Sequence, residues 1–188
     1  MAERTYMLKV AGVQRELPIL DVTDKLAIAG FIMLGDVELT DACARALAAR
    51  VPKETDIILT AETKGIPLAA ELARCLGMKR YVVARKSVKA YMENAVWVED
   101  RSITTKGVQQ LCLDGVDIER IRGRNVLLLD DVVSTGGSMK ALTELAEKAG
   151  GRVVGEACVL AEGDAAERSD IIFLEALPLF EAARQGDL

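Results

Sequence analysis

Val126-Leu-Leu-Leu-Asp-Asp-Val-Val-Ser-Thr-Gly-Gly-Ser138 changes character twice over a short span. Val126 to Leu129 is a continuous apolar run, the pattern of a strand buried on both faces. It ends abruptly in two adjacent carboxylates, Asp130 and Asp131. A polar loop from Ser134 to Ser138 follows, and then a helix over 138–149. The glycine pair lets backbone N–H groups approach a phosphate without obstruction by Cβ. The start of the helix adds unpaired donors and the positive end of a dipole. Two acids would repel a lone phosphate. They suit a ligand that carries hydroxyls beside its phosphate, because carboxylates accept from vicinal hydroxyls and can hold Mg²⁺. A strand ending in solvated acids and a glycine turn has the same composition, but the order of the parts favours a phosphorylated sugar. The string is not a GxxxxGK[ST] loop.

Outward from this strand, apolar runs alternate with helical patterns. A helix is expected over Thr40–Val51, capped by Thr40 or Asp41, with Leu39, Cys43, Ala46, Leu47 and Val51 on one face. Asp56–Thr60 reads as a strand, and a helix starting near Pro67 runs to Leu76, where Gly77 ends it. Tyr81–Ala84, Gln109–Leu113, Val153–Leu160 and Ile171–Leu174 read as further strands. Residues 85–107 are polar and irregular apart from a strand around Ala95–Val98. The alternation predicts one α/β domain over 1–188, an open and mainly parallel sheet flanked by helices. Residues 1–35, with 171–188, are expected to form a small hood. Ligands of such sheets bind beyond the carboxyl ends of the strands, so the loops after Thr60, Ala84 and Leu129 are where chemistry is expected.

Composition narrows the function. The net charge of −5 and pI near 5.0 argue against a general nucleic-acid binder. No apolar run is long enough to span a bilayer, and Met1–Val10 lacks the apolar core of a signal peptide. A cytoplasmic protein is expected. Cys43, Cys75, Cys112 and Cys158 form no CxxC pair, and the chain contains no histidine. They read as small apolar residues rather than as disulfides or zinc ligands.

Over its full length, Val126–Ser138 resembles the phosphoribosyl pyrophosphate (PRPP) signature of type I phosphoribosyltransferases. That resemblance implies the type I phosphoribosyltransferase fold and a glycosyltransferase (pentosyltransferase) activity, with Mg²⁺ brought in on PRPP. It places Asp130 and Asp131 on the ribose hydroxyls and in catalysis. Val132, Val133, Ser134, Thr135, Gly136, Gly137 and Ser138 then surround the 5-phosphate. Ala61-Glu-Thr-Lys-Gly65 is similar to the family's pyrophosphate loop, with Lys64 in place of an arginine. The resemblance implies that Glu62, Thr63, Lys64 and Gly65 bind pyrophosphate and that a cis peptide lies among them. Arg85-Lys-Ser-Val-Lys89 looks like the family's Arg-Lys-x-x-Lys segment, so Arg85, Lys86 and Lys89 are expected at the same pyrophosphate.

Adenine-specific members fit best, by the Glu62-x-x-Gly65 loop. Readers of 6-oxopurines carry a lysine soon after the strand that follows the signature, and Cys158–Gly163 has none. They also carry an aspartate where this chain has Ser134. Orotate enzymes continue into a histidine-containing loop. Residues 91–106 are expected to form a lid, with Glu99 as the nearest counterpart of a catalytic glutamate. Phe31, Tyr91 and Trp97 could stack on a purine, and a homodimer is expected. The alternatives are transfer to a 6-oxopurine or orotate, and a PRPP-sensing regulator without catalysis.

Overall fold

The computed structural model describes residues 4–100 and 109–183. The N-terminal residues, which interrupted the alternation of the sequence, form antiparallel strands β1 (Thr5–Val10), β2 (Val13–Asp21) and β3 (Leu26–Ala29). Next comes α1 (Val37–Ala48), which starts a turn earlier than expected. Asp36, not Thr40 or Asp41, is its cap. The Asp36 carboxylate accepts from Leu39 N at 3.0 Å, and Arg15 of β2 donates to the same group at 2.6 and 2.9 Å. This guanidinium holds the Asp36 carboxyl below its ordinary range and ties β2 to the helix.

The chain continues through β4 (Ile57–Ala61), α2 (Gly65–Cys75), β5 (Val82–Ala84), β6 (Val96–Asp100), β7 (Gln109–Leu113) and α3 (Gly115–Ile121). It is completed by β8 (Asn125–Val133), α4 (Gly137–Lys148), β9 (Arg152–Glu162), a 3-10 turn at Gly163–Glu167, β10 (Ile171–Leu177) and β11 (Leu179–Glu181). α2 begins at Gly65 rather than at Pro67, and the proline sits in the first turn, where its missing N–H costs nothing.

The main sheet is parallel, in the order β10-β9-β8-β4-β5. Side chains of β8 alternate between two cores. Val126 and Leu128 pack with α4, α3 and the β6–β7 hairpin, while Leu127 and Leu129 pack with α1, α2 and the antiparallel strands. Each such fully buried leucine is worth about 1.5–3 kcal/mol, so this strand welds the layers together.

The expected hood needs one correction. β10 lies within the parallel sheet, paired from Ile171↔Glu156 to Leu177↔Glu162. Only β11 joins the small sheet, in the order β1-β2-β3-β11. The switch falls after Leu177, the last buried residue of β10. α3 was not expected. It is short, and its only helical signals are Ile118 and Ile121 on one face and the Asp117–Arg120 ion pair at 2.6 Å.

Candidate active site

β4 pairs with β5 so that Ala61 lies opposite Ala84, and with β8 so that Thr60 lies opposite Leu129. The loops that leave these strands therefore stand side by side. The chain runs outward from β4 to β5, returns to β8, and then proceeds the other way to β9 and β10. The crevice between β4 and β8 is thus a topological switch point, where open α/β sheets bind ligands.

Asp130 and Asp131 sit in this crevice. β8 extends to Val133, so both acids belong to the end of the strand and the loop shortens to Ser134–Gly136. Asp131 is 2% exposed. Its Oδ2 forms an ion pair at 2.7 Å with Lys64 Nζ, from the loop after β4. This pair is electrostatic contact and not a directed hydrogen bond, for Oδ2 accepts no aligned donor among the described residues. Asp130 Oδ1 accepts from Asp131 N at 2.9 Å. Burial, and then the charge of Asp131, push the Asp130 carboxyl up to about 8.

This shift has a measurable consequence. Between the ordinary aspartate range and about 8, folded Asp130 holds a proton that the unfolded chain has released, so stability falls as pH rises through that window. The free protein should melt progressively lower from pH 5 to pH 8. Asp130→Asn, which mimics the protonated acid, should flatten that part of the Tm profile. An unchanged slope in the variant would assign it to other groups.

The cationic segment after β5 is locked to the loop after β4 by Glu62. Glu62 N donates to Ala84 O at 2.9 Å, and its carboxylate accepts from Lys86 N at 3.0 Å. It also pairs with Arg85 Nε at 3.2 Å. The Lys86 N–H, followed by Arg85, keeps the Glu62 carboxyl below its usual range. Glu62 therefore positions the cations, and its negative charge is already engaged. The expected cis peptide is Glu62–Thr63. Lys89 Nζ donates to Ser87 Oγ at 2.6 Å, and Arg85 Nη1 donates to Tyr91 Oη at 3.2 Å.

Gly136 caps α4 with φ 78°, a left-handed conformation that favours glycine. No side chain caps this helix, so its first N–H groups are available to an anion. Ser134 and Thr135 are exposed, while Val133 is buried and offers only its backbone.

Sequence reasoning passed over Thr60 and Arg168. Thr60 is fully buried, and its Oγ1, beneath Gly65, has no hydrogen-bond partner among the described residues. It is the only polar residue of the β4 run, which was the available signal. Arg168 reaches the Ser134–Gly136 loop from beyond β9, with no motif to mark it.

Other expected residues lie elsewhere. Phe31 is 6% exposed within the core beside Met33 and Leu39, a packing position with no open face for a purine. Tyr91 is 64% and Trp97 50% exposed. Glu99 is exposed on β6 opposite Gln110 of β7. Part of the expected 91–106 lid is strand β6, and residues 101–106 lie outside the described residues.

The residues fit Mg²⁺ in a particular way. The buried Asp131 Oδ2 without an aligned donor is a suitable oxygen. No group of three or more metal-ligating side chains occurs among the described residues. Such a site suits a Mg²⁺ ion held mainly by substrate phosphates and water, with one or two carboxylates.

A family model described as "Phosphoribosyl transferase domain" matches residues 37–181. A hypoxanthine/guanine phosphoribosyltransferase of Methanococcus voltae is 36% identical over 126 residues, covering 67% of this chain and 63% of that protein. An adenine phosphoribosyltransferase of Bifidobacterium longum is 34% identical over 110 residues, covering 58% and 53%. The chain thus spans less than two thirds of the length of these relatives. The adenine phosphoribosyltransferase structure from Rhodothermus marinus superimposes with a TM-score of 0.64, covering 92% of this chain and 94% of that one at 24% identity. That likeness is one of fold.

Proposed function

The chain belongs to the phosphoribosyl transferase domain family, and on that premise we propose that it transfers 5-phosphoribosyl from PRPP to a purine, adenine before others. The observation that carries this reading is the Lys64–Asp131 ion pair, which brings a cation of one loop to the acids of another at the switch point. Asp130 and Asp131 hold the ribose hydroxyls. Ser134, Thr135, Ser138 and the N–H groups opening α4 hold the 5-phosphate. As the anomeric C–O bond breaks, Lys64, Arg85, Lys86 and Lys89 balance the charge gathering on pyrophosphate, each worth about 2–4 kcal/mol by analogy with placed oxyanion donors. Mg²⁺, held in part by the Asp131 carboxylate, would supply further charge neutralisation at the leaving group. A ring nitrogen of the base then forms the new glycosidic bond, and its proton passes to the released pyrophosphate.

Adenine is supported by what is missing near the base. Its 6-amino donor can be read by backbone carbonyls, whereas a 6-oxopurine needs a donor at O6. Cys158–Gly163, at the end of β9, contains no lysine. A pocket that leaves O6 unpaired loses about 1–3 kcal/mol, roughly tenfold to a hundredfold in selectivity. With PRPP, Mg²⁺ and each base in turn, kcat/KM for adenine should exceed that for hypoxanthine and guanine by at least about tenfold. The second reading, a 6-oxopurine enzyme, is favoured by the name of the Methanococcus relative. Comparable turnover of guanine or hypoxanthine would establish it. Tight PRPP binding without turnover of any base, orotate included, would instead indicate a regulator.

Ile32 and Val37, 69% and 79% exposed beside the small sheet, support a homodimer, which light scattering in solution tests. Among the described residues, no helix is long and apolar enough to cross a membrane, in keeping with a cytoplasmic setting for this reaction.

A further inference from the structure

The phosphate loop has a neighbour from outside the three segments. A Cβ built on Gly136 would lie 3.0 Å from Arg168 Nη1, so this guanidinium rests against the loop that opens α4. Arg168 follows the 3-10 turn Gly163–Glu167, beyond β9. Two acids fix the plane of its guanidinium. Nε donates to Asp170 Oδ1 at 3.0 Å, and Nη2 donates to Asp170 Oδ2 at 2.7 Å and to Glu156 Oε2 at 3.4 Å. Nη1 makes no hydrogen bond or ion pair among the described residues.

This arrangement leaves one oriented donor at a place that needs one. Ser134–Ser138 carries no charged side chain, and a sugar 5-phosphate carries nearly two negative charges at neutral pH. The start of a helix offers only about half a positive charge. A guanidinium held by carboxylates on two of its nitrogens presents the third without further ordering. A mere tie between the 3-10 turn and β9 would need only the Asp170 and Glu156 contacts. It would not explain why Nη1 lies against the loop at Gly136 with no partner of its own among the described residues.

We propose that Arg168 belongs to the 5-phosphate subsite and donates from Nη1 to the phosphate of the phosphoribosyl ligand. The proposal rests on the phosphoribosyl reading of the site, and the test separates the two. Calorimetry would measure ribose 5-phosphate and, separately, pyrophosphate with Mg²⁺, on the wild-type protein, Arg168→Gln and Arg168→Lys. Loss of one charge-assisted hydrogen bond should weaken ribose 5-phosphate about tenfold or more in Arg168→Gln, while pyrophosphate affinity stays within about twofold. Arg168→Lys should fall between, because a single nitrogen cannot engage Asp170 and the loop together. Should Arg168→Gln not fold, the same split between ligands is read in Arg168→Lys. Equal losses for both ligands would make Arg168 a structural tie, and unchanged ribose 5-phosphate binding would equally overturn the proposal. A wild-type protein that binds neither ligand would overturn the phosphoribosyl reading itself, and this one with it.

Discussion

Replacing Asp130 and Asp131 together by Asn should lower kcat/KM for PRPP by at least about a hundredfold while leaving the protein folded. Above about pH 8, where Asp130 as well as Asp131 is ionised, each carboxylate offers a charged acceptor to a ribose hydroxyl, and such bonds are worth about 1.5–3 kcal/mol apiece. Two of them come to about 3–6 kcal/mol, and 1.36 kcal/mol is tenfold in rate. Folding should survive because Asp130→Asn puts a neutral group where burial already pushes the carboxyl up to about 8, and Asp131→Asn gives up an ion pair with the half-exposed Lys64. The measurement is steady-state kinetics beside a thermal melt. Wild-type kinetics in the folded double variant would remove the sugar-binding role of these acids, and with it the central argument for the activity.

Gly65→Ala should disable the proposed pyrophosphate loop through sterics alone. A Cβ at Gly65 would fall deep inside contact distance of Thr60 Oγ1, with Thr60 Cβ at 3.5 Å and Asp130 Oδ1 at 3.6 Å. Thr60 is fully buried in β4 and has nowhere to retreat. Either the core shifts or the Lys64–Gly65 segment lifts away from Asp131. Overpacking of this kind costs about 1–3 kcal/mol, enough to lower Tm by several degrees. The displaced Lys64 should reduce kcat/KM for PRPP by more than about tenfold, since even small misplacements of binding groups are costly. Adding Thr60→Ala removes the clashing atom, so the double variant should regain much of both stability and activity. If Thr60→Ala rescues neither, the obstruction lies elsewhere.

Much of this site was legible before any coordinates because its chemistry is local. Asp130 through Ser138, Glu62 through Gly65 and Arg85 through Lys89 are contiguous strings at the ends of apolar runs, and the parallel sheet brings such ends to one edge. What could not be read came from long-range packing. Arg168 reaches the Ser134–Gly136 loop only because the 3-10 turn folds back beside β9, which no spacing in the sequence encodes. Asp36 outcompeted Thr40 as a helix cap because Arg15, on another strand, holds its carboxylate in place. Phe31 looked like a stacking ring until β1 and α1 closed over it. Glu62 read as a pyrophosphate ligand by its position, and its engagement with Arg85 and Lys86 N depends on how two loops meet.

The pairing of β4 with β8 also sets when the catalytic apparatus can exist. Asp56, just before β4, accepts from Asn125 N across 69 residues of chain, and β4 has no neighbour on that side until β8 arrives. On the ribosome, the Glu62–Gly65 loop and the Arg85–Lys89 segment emerge well before the acids they are to meet. Contacts so distant in sequence make nucleation slow, and here they also make it all-or-none for function. Lys64 finds Asp131 only when the middle of the sheet zips together, so a partly folded chain should have no graded affinity for PRPP. Refolding followed by recovery of ligand binding and by burial of Leu127 and Leu128 should therefore give one and the same time course.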